Sequence, residues 1–590
     1  MELLQEIESL IEAQKYEEAL SELQQKKSEF DNQSEFFNIQ AIIFYYLGNL
    51  EEAQQRAEKA IELDKDNLDA HKNLIDILQE RLKQTDESKN IIIYDTQGKK
   101  VPEAGNNLYE SREIVMQTIT DEDAPLVDIV VLGYNRLEKT KKCVNSILTY
   151  TKGIDYQLIL INSGSSDDTL SFFESVDYPC KRIIHITKNV GSMFASMSAM
   201  PYMKAPYRVV VANDVYVTSN WLSNLLCCAQ SNPDVGMICP MSSNTSNLQD
   251  PGLVFGDYDS MQSKAAEFNR SDSRKWEERM RLVTPCTFYT KIAMDIVGVP
   301  DYGFFHDFSD DDYAFRIRRS GYKTILCGDT FVCHDHDGSH GEGKDTKTFK
   351  KSIEIGRDNF YSKNFVDAWD DVNNFERALI STLDAESYTN VRPDVLGIDV
   401  ACGTPLLEVK NYFRRCGIND IPLFSYTTDA KYFMDLKTIC TGGVEFGSLD
   451  GINNAFDHKK FDCILLGKPI NIYTDPFTFL EKVATMLKPS GHLLFKLQNT
   501  DDLLAFLRIT GLSNQKNDGN LNIVLPDELV NKLRHMNLLL CKIIAENYEV
   551  SKSVMSQVNN ILVGISKKAD RTQLMNKLLI LYYNFNFVMS

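Results

Sequence analysis

From Leu126 onward, short apolar runs alternate with amphipathic stretches. Val127–Leu132, Gln157–Ile161 and Arg182–Ile186 are such runs, and so is the stretch Tyr207–Leu222 around Val209-Val210-Val211. Each run stops at Gly, Asn, Ser or Asp: GYNR after the first, NSGSSDDT after the second, KNVG after the third, ANDV after the fourth. Between the first two runs, Val144, Ile147 and Leu148 recur at helical spacing. Strands that alternate with helices and end in small polar residues predict a doubly wound α/β sheet with a polar site along one rim. Asp214, just past the Val209–Val211 run, sits at that rim. It binds a metal there, or it caps a helix beginning near Ser219.

The first 90 residues have a different rhythm. Gln14–Ala19 is echoed by Gly48–Ala53, and Ala19 to Ala53 is a step of 34 residues, the tetratricopeptide period. Ala19, Ala53 and Ala60 would let paired helices approach, Tyr45, Tyr46 and Leu47 would fill the groove, and Ala70–Leu82 would close the arm. A plain helical hairpin is the alternative. Residues 91–124 are polar and charged and form a connector, with one strand candidate at Ile91–Tyr94. The α/β unit spans 125–348, a helical connector 349–385, and a further α/β unit 386–590. The apolar tail from Leu578 to Met589 predicts a packed helix or strand.

Composition narrows the function classes. A net charge of −20 disfavours nucleic acid and anionic membrane as general partners, because both demand basic surface. Thirteen scattered cysteines without a CxxC pair predict reduced thiols and a cytoplasmic setting. The N-terminus lacks a signal-peptide pattern, and no apolar run is long enough to span a bilayer.

Taken in order, VVLGYNR, LINSGSSDDT, KNVG, VVVANDV, Pro285–Tyr289, FFHDFSDDDYAFRIRRSGY and FVCHDHDGSH resemble the family 2 glycosyltransferases of the GT-A fold, over residues 126 to 345. The resemblance implies that Tyr134 and Arg136 lie beside the nucleotide. Asn162 stands where the family usually has an Asp that accepts from uracil, and its amide oxygen can still accept. Asp167 and Asn189 match further polar positions. The family's DxD becomes Ala212-Asn213-Asp214, with only the last carboxylate kept. Asp214 and His334 are then the implied ligands of a divalent metal, Mn2+ or Mg2+, with Asp335, His336 and His340 close by. The catalytic Asp of the family aligns on Asp310, at the mouth of a helix Tyr313–Arg319, with Asp312 or Asp311 behind it. These acidic residues would also suit a helix N-terminus for purely structural reasons.

Val395–Thr404 and the stretch FDCILLGKPINIYTDPFTFLEKVATMLKPSGHLLFKLQN resemble class I methyltransferases. Ala401 and Pro405 replace glycines of the family's cofactor loop, so S-adenosylmethionine binding is not expected. Together these resemblances imply a cytoplasmic, metal-dependent, inverting transferase. It would move a sugar such as N-acetylglucosamine from a UDP-sugar to Ser or Thr of a protein such as flagellin, which the repeat arm would contact. A polysaccharide or lipid-glycan transferase, a scaffold with degenerate enzyme units, and a bifunctional transferase-methylase are the alternatives.

Overall fold

The computed structural model describes residues 2–25, 33–84, 91–94, 124–301, 303–304, 307–335, 346–384, 388, 392–510, 521–565 and 568–590. The architecture is mixed α/β. Two compact units divide the chain, residues 1–137 with 155–205 and residues 138–154 with 206–590.

The first unit opens with five helices, Glu2–Glu12, Tyr16–Gln25, Ser34–Tyr46, Leu50–Leu63 and Leu68–Gln84. Alanines let them pack closely: Ala19, Ala41, Ala53, Ala57, Ala60 and Ala70 are all fully buried. Asn49 caps the helix that follows it, accepting from the Glu52 N–H at 3.3 Å, and Asn67 accepts from Ala70 N–H at 3.0 Å. Tyr46 and Leu47 depart from the expected groove filling. Tyr46 is 55% exposed and stacks on Tyr16 with ring centroids 5.0 Å apart, and Leu47 is 37% exposed.

Four parallel strands complete this unit: β1 (Ile91–Tyr94), β2 (Val127–Gly133), β3 (Tyr156–Ser163) and β4 (Lys181–Ile186), in the order β1-β4-β3-β2. The strand candidate Ile91–Tyr94 within the expected connector is strand β1, paired with Ile183–Ile186. Along β2 and β3, consecutive residues are buried, as parallel strands covered on both faces require.

In the second unit, β5 (Tyr207–Ala212), β6 (Val215–Tyr216), β7 (Val235–Ser242), β8 (Trp276–Glu278), β9 (Cys286–Thr290) and β10 (Lys323–His334) run in the order β5-β9-β7-β10-β6, with β8 on β10. β9 is antiparallel to both β5 and β7, and β10 is parallel to β7. This topology gathers the ends of β5, β7 and β10 with the start of β9 on one rim, where Asp214 and His334 lie.

A separate sheet follows: β11 (Val395–Ile398), β12 (Leu423–Thr427), β13 (Gly443–Phe446), β14 (Phe461–Leu466), β15 (Leu487–Gln498), β16 (Leu538–Asn547) and β17 (Ile580–Met589), ordered β13-β12-β11-β14-β15-β17-β16. The first five are parallel; β17, formed by the apolar tail, is antiparallel to both neighbours. Strand order reverses between β11 and β14, the place where open α/β sheets bind ligands. One hydrophobic core joins Phe308 and Phe315 through Phe360 and Leu379 to Val395 and Leu436.

Candidate active site

Within the first unit, the turns after β2 and β3 are stitched together. Asn135 N–H donates to Ser165 Oγ at 2.9 Å, and Asn135 Oδ1 accepts from Ser166 N–H at 2.8 Å. Asn135 and Arg136 both have positive φ, 54° and 62°. Glycine is required at 164, where φ is +67° and a Cβ would stand 2.3 Å from Asn189 N; the turns after β3 and β4 touch there, backbone to backbone.

Asp167 is committed to the protein. It accepts from Leu137 N–H at 3.0 Å and from Thr169 N–H at 3.1 Å. Desolvation opposes its ionisation, but the Thr169 and Leu137 hydrogen bonds win and hold its pKa below the usual value. Tyr134 is 45% exposed. Asn189 Oδ1 accepts from Gly191 N–H at 3.0 Å.

Asn162 is buried, and its Nδ2 lies 2.8 Å from His185 Nδ1. Burial lowers the His185 pKa, which favours the neutral ring and an accepting Nδ1. Asn162 Oδ1 and the neighbouring Ser163 Oγ are buried with no partner among the described residues. Buried polar atoms are normally satisfied, so such a pair marks a place for water or ligand.

In the second unit, Asp214 is 9% exposed and lies 3.6 Å from His334 Nε2. Asn213 Nδ2 donates to Thr140 Oγ1 at 2.9 Å. The Asp214 carbonyl accepts from Asp335 N–H at 2.8 Å, and Tyr216 OH donates to the Asp335 carboxylate at 2.6 Å. Lys139 donates to the Asp335 carbonyl and lies 3.7 Å from its carboxylate. An oxygen and an imidazole nitrogen 3.6 Å apart suit two adjacent ligands of one divalent ion, with remaining positions for phosphate oxygens and water. His336 and His340 lie outside the described residues. Among the described residues, no group of three or more His, Cys, Asp or Glu is placed to hold a metal ion.

Lys139 escaped the sequence reading, although a signal was there. The helix Leu137–Tyr150 carries Lys139, Lys141 and Lys142 near its N-terminus, where the dipole disfavours cations unless an anion is near.

The second carboxylate cluster opens a helix. That helix runs Ser309–Arg319, one turn longer than the motif suggested, so all three aspartates belong to its first turn. Their surroundings differ sharply. Asp311 is bound by Arg281 through both carboxylate oxygens, Nη2 at 3.2 Å from Oδ2. Asp312 is fully buried between Arg316 at 3.0 Å and Lys363 at 2.7 Å. Asp310 keeps partial exposure. Desolvation and the adjacent Asp311 carboxylate raise its pKa to about 7, against the pull of Arg281. Phe308, just before the helix, has a φ of 65°. A non-glycine residue in that region costs about 1 kcal/mol; here Phe308 is held by Phe360 and Trp369, with centroids 6.3 and 5.2 Å away.

Hydrogen bonds connect the two clusters within this unit. Ser243 Oγ and Asn244 Nδ2 both donate to the His334 carbonyl, at 3.1 and 2.9 Å. Farther along the same loop, Asn247 Nδ2 donates to the Arg281 carbonyl at 2.9 Å.

Residues 128–294 match the family described as Glycosyl transferase family 2. An uncharacterized protein of Sinorhizobium fredii (strain NBRC 101917 / NGR234), y4gI, is 22% identical over 262 residues, 42% of this chain and 29% of its own length. This chain thus spans less than a third of that relative. Among solved structures, mannosyltransferase PcManGT from Pyrobaculum calidifontis, in complex with GDP-Man and Mn2+, is similar at 14% identity and a TM-score of 0.28, over 42% of this chain and 74% of that one. A chain of the Haloferax volcanii complex containing the Trm112 methyltransferase activator is similar at 10% identity and a TM-score of 0.27, over 40% of this chain and 93% of that one.

Proposed function

With residues 128–294 a glycosyltransferase family 2 domain as the premise, we propose that this protein is an inverting glycosyltransferase that moves a sugar from a UDP-sugar to the hydroxyl of Ser or Thr in a protein acceptor. The observation that carries this reading is the division of labour among three adjacent aspartates. Asp311 and Asp312 are neutralised by Arg281, Arg316 and Lys363. Asp310 alone remains available, with its pKa raised to about 7. A carboxylate of that basicity suits a general base at neutral pH, since proton transfer works best when the pKa of the base lies near the working pH.

Asp310 takes the proton of the attacking hydroxyl, and the attack from the face opposite the leaving diphosphate inverts the anomeric carbon. Asp312 positions Asp310 by locking the first helical turn. Asn162 accepts from the uracil imide N–H, a role that its unpartnered buried oxygen supports. Tyr134, Arg136 and Asn189 hold the rest of the nucleoside, and Asp167 shapes the turns that carry them. Asn213, Asp214 and His334 serve the diphosphate. A divalent ion such as Mn2+ or Mg2+, when bound, would be held by Asp214 and His334 and would supply positive charge beside the leaving group. Lys139 adds a fixed cation near Asp335.

The N-terminal helices, with their 34-residue step, form a tetratricopeptide-like arm for the acceptor. N-acetylglucosamine and a flagellin-type surface protein are the donor sugar and acceptor proposed. No helix among the described residues is long and apolar enough to cross a membrane. The β11–β17 sheet is methyltransferase-like.

The test uses purified chain, labelled UDP-sugars and a candidate acceptor protein. Label in a protease-sensitive band, lost in Asp310→Asn and Asp214→Asn, is expected. Label confined to a protease-resistant, solvent-extractable fraction would overturn the protein-acceptor reading.

A further inference from the structure

The β11–β17 sheet reverses strand order between β11 and β14, so a nucleoside cofactor would be expected beyond the ends of those strands. Residues 371–372 of the chain itself bind the loop after β11 and the turn after β12. Cys402 N–H, in the first loop, donates to the Asp371 carbonyl at 3.3 Å, and Thr404 Oγ1 donates to the Val372 carbonyl at 2.5 Å. Past β12, Tyr432 OH and Lys431 Nζ bind the Asp371 carboxylate at 2.5 and 3.3 Å. Val372 is 1% exposed and Ala368 is fully buried. Donors that would face a cofactor are already spent on residues 371–372, and Ala401 holds a strained φ of 52° within the same loop. These residues do not fit S-adenosylmethionine.

The same segment reaches the Asp310 helix. Trp369 packs on Phe308, the strained residue at the helix start. Asn373 Oδ1 accepts from Arg281 Nη1 at 3.3 Å, and Arg281 holds Asp311. The helix Thr404–Arg415, whose first residue holds Val372, also grips the strand leading to Arg281. Asn411 both donates to the Glu278 carbonyl and accepts from the Glu278 N–H, each at 3.0 Å.

We propose that residues 367–375 form a strut that fills the cofactor crevice of the β11–β17 sheet and turns that sheet into a brace for the Asp310 helix, with Trp369 and Asn373 as positioning residues. The sheet then contributes rigidity to glycosyl transfer, not methyl transfer. This rests on the proposed function only for its kinetic readout.

The test uses the full chain with Trp369→Ala and with Asn373→Ala, both at partly exposed positions that leave the core intact. Hydrogen exchange of the amides at 308–312 is expected to quicken about tenfold in each variant, with the rest of the β10 neighbourhood unchanged. In UDP-sugar turnover, kcat is expected to fall about tenfold or more with the donor KM unchanged. Calorimetric titration of the parent with S-adenosylmethionine is expected to give no heat. Unchanged exchange at 308–312, or saturable S-adenosylmethionine binding by the parent, would overturn the proposal. A parent without transferase activity would count against the proposed function, while exchange and titration would still decide for or against the strut.

Discussion

Replacing Asp310 by Asn separates catalysis from stability in a way a merely structural aspartate would not. Below its ordinary value of 3.8 the carboxyl is neutral in both the folded and unfolded chain. As pH rises from there to about 7, the unfolded chain ionises first while the folded one keeps its proton. The folded state therefore loses stability across that window, and the loss is complete above it. A rise from 3.8 to about 7 corresponds to about 4 kcal/mol. Asp311 and Arg281 share the electrostatics with Asp310, so about half of that, about 2 kcal/mol, is the gain expected for Asp310→Asn at about pH 8. Asparagine does not titrate, so the gain shrinks toward zero near about pH 4. In differential scanning calorimetry the variant should melt about 2 to 3 °C above the parent at the higher pH and alongside it at the lower. The same substitution removes the proposed base and should lower turnover by about 10²- to 10⁴-fold. A variant that melts below the parent at both pH values, or that keeps its turnover, would refute this account of the Asp310 environment. The charged and titratable groups facing it in this account are Asp311, Arg281, Cys239 and Tyr289.

Other sites make independent claims. Asp214→Asn and His334→Ala should each weaken manganese-dependent UDP-sugar binding by about tenfold or more, read by calorimetry with and without the metal; equal affinity in both conditions would rule out a shared ion. Removing the orphan acceptor in Asn162→Ala should cost UDP affinity about tenfold, near 1.4 kcal/mol, and leave thermal stability within about 1 kcal/mol. Asp435 is fully buried and binds Arg318 at 2.9 Å and Arg319 at 2.8 Å. Asp435→Asn strands buried guanidinium charge and should destabilise the second unit by about 3 to 5 kcal/mol in urea unfolding.

The local grammar of the chain was legible in the residues themselves. Apolar runs ending in GYNR, NSGSSDDT, KNVG and ANDV announce strands and their polar turns, because backbone pleat and turn chemistry are short-range properties. The 34-residue step between Ala19 and Ala53 likewise announces paired helices, and the IIIY run at 91–94 announces a strand. Which strand lies beside which is not local, so the pairing of Ile91–Tyr94 with β4 had no trace in a stretch that otherwise looked like linker.

The carboxylates show where sequence stops. Asp310, Asp311 and Asp312 are chemically identical and adjacent; motif alignment put Asp310 first but gave no physical reason to set it apart from the other two. Their roles part only because Arg281 arrives from 30 residues earlier and Lys363 from about 50 later, each quenching one carboxylate. Asn373 and Trp369 carry no motif at all; they matter because folding seats them against Arg281 and Phe308. Residue type and spacing settled what chemistry this chain can attempt. The tertiary structure decided which of several equal side chains is left basic, since desolvation and Coulomb interactions depend on neighbours that only the folded chain brings within a few ångströms.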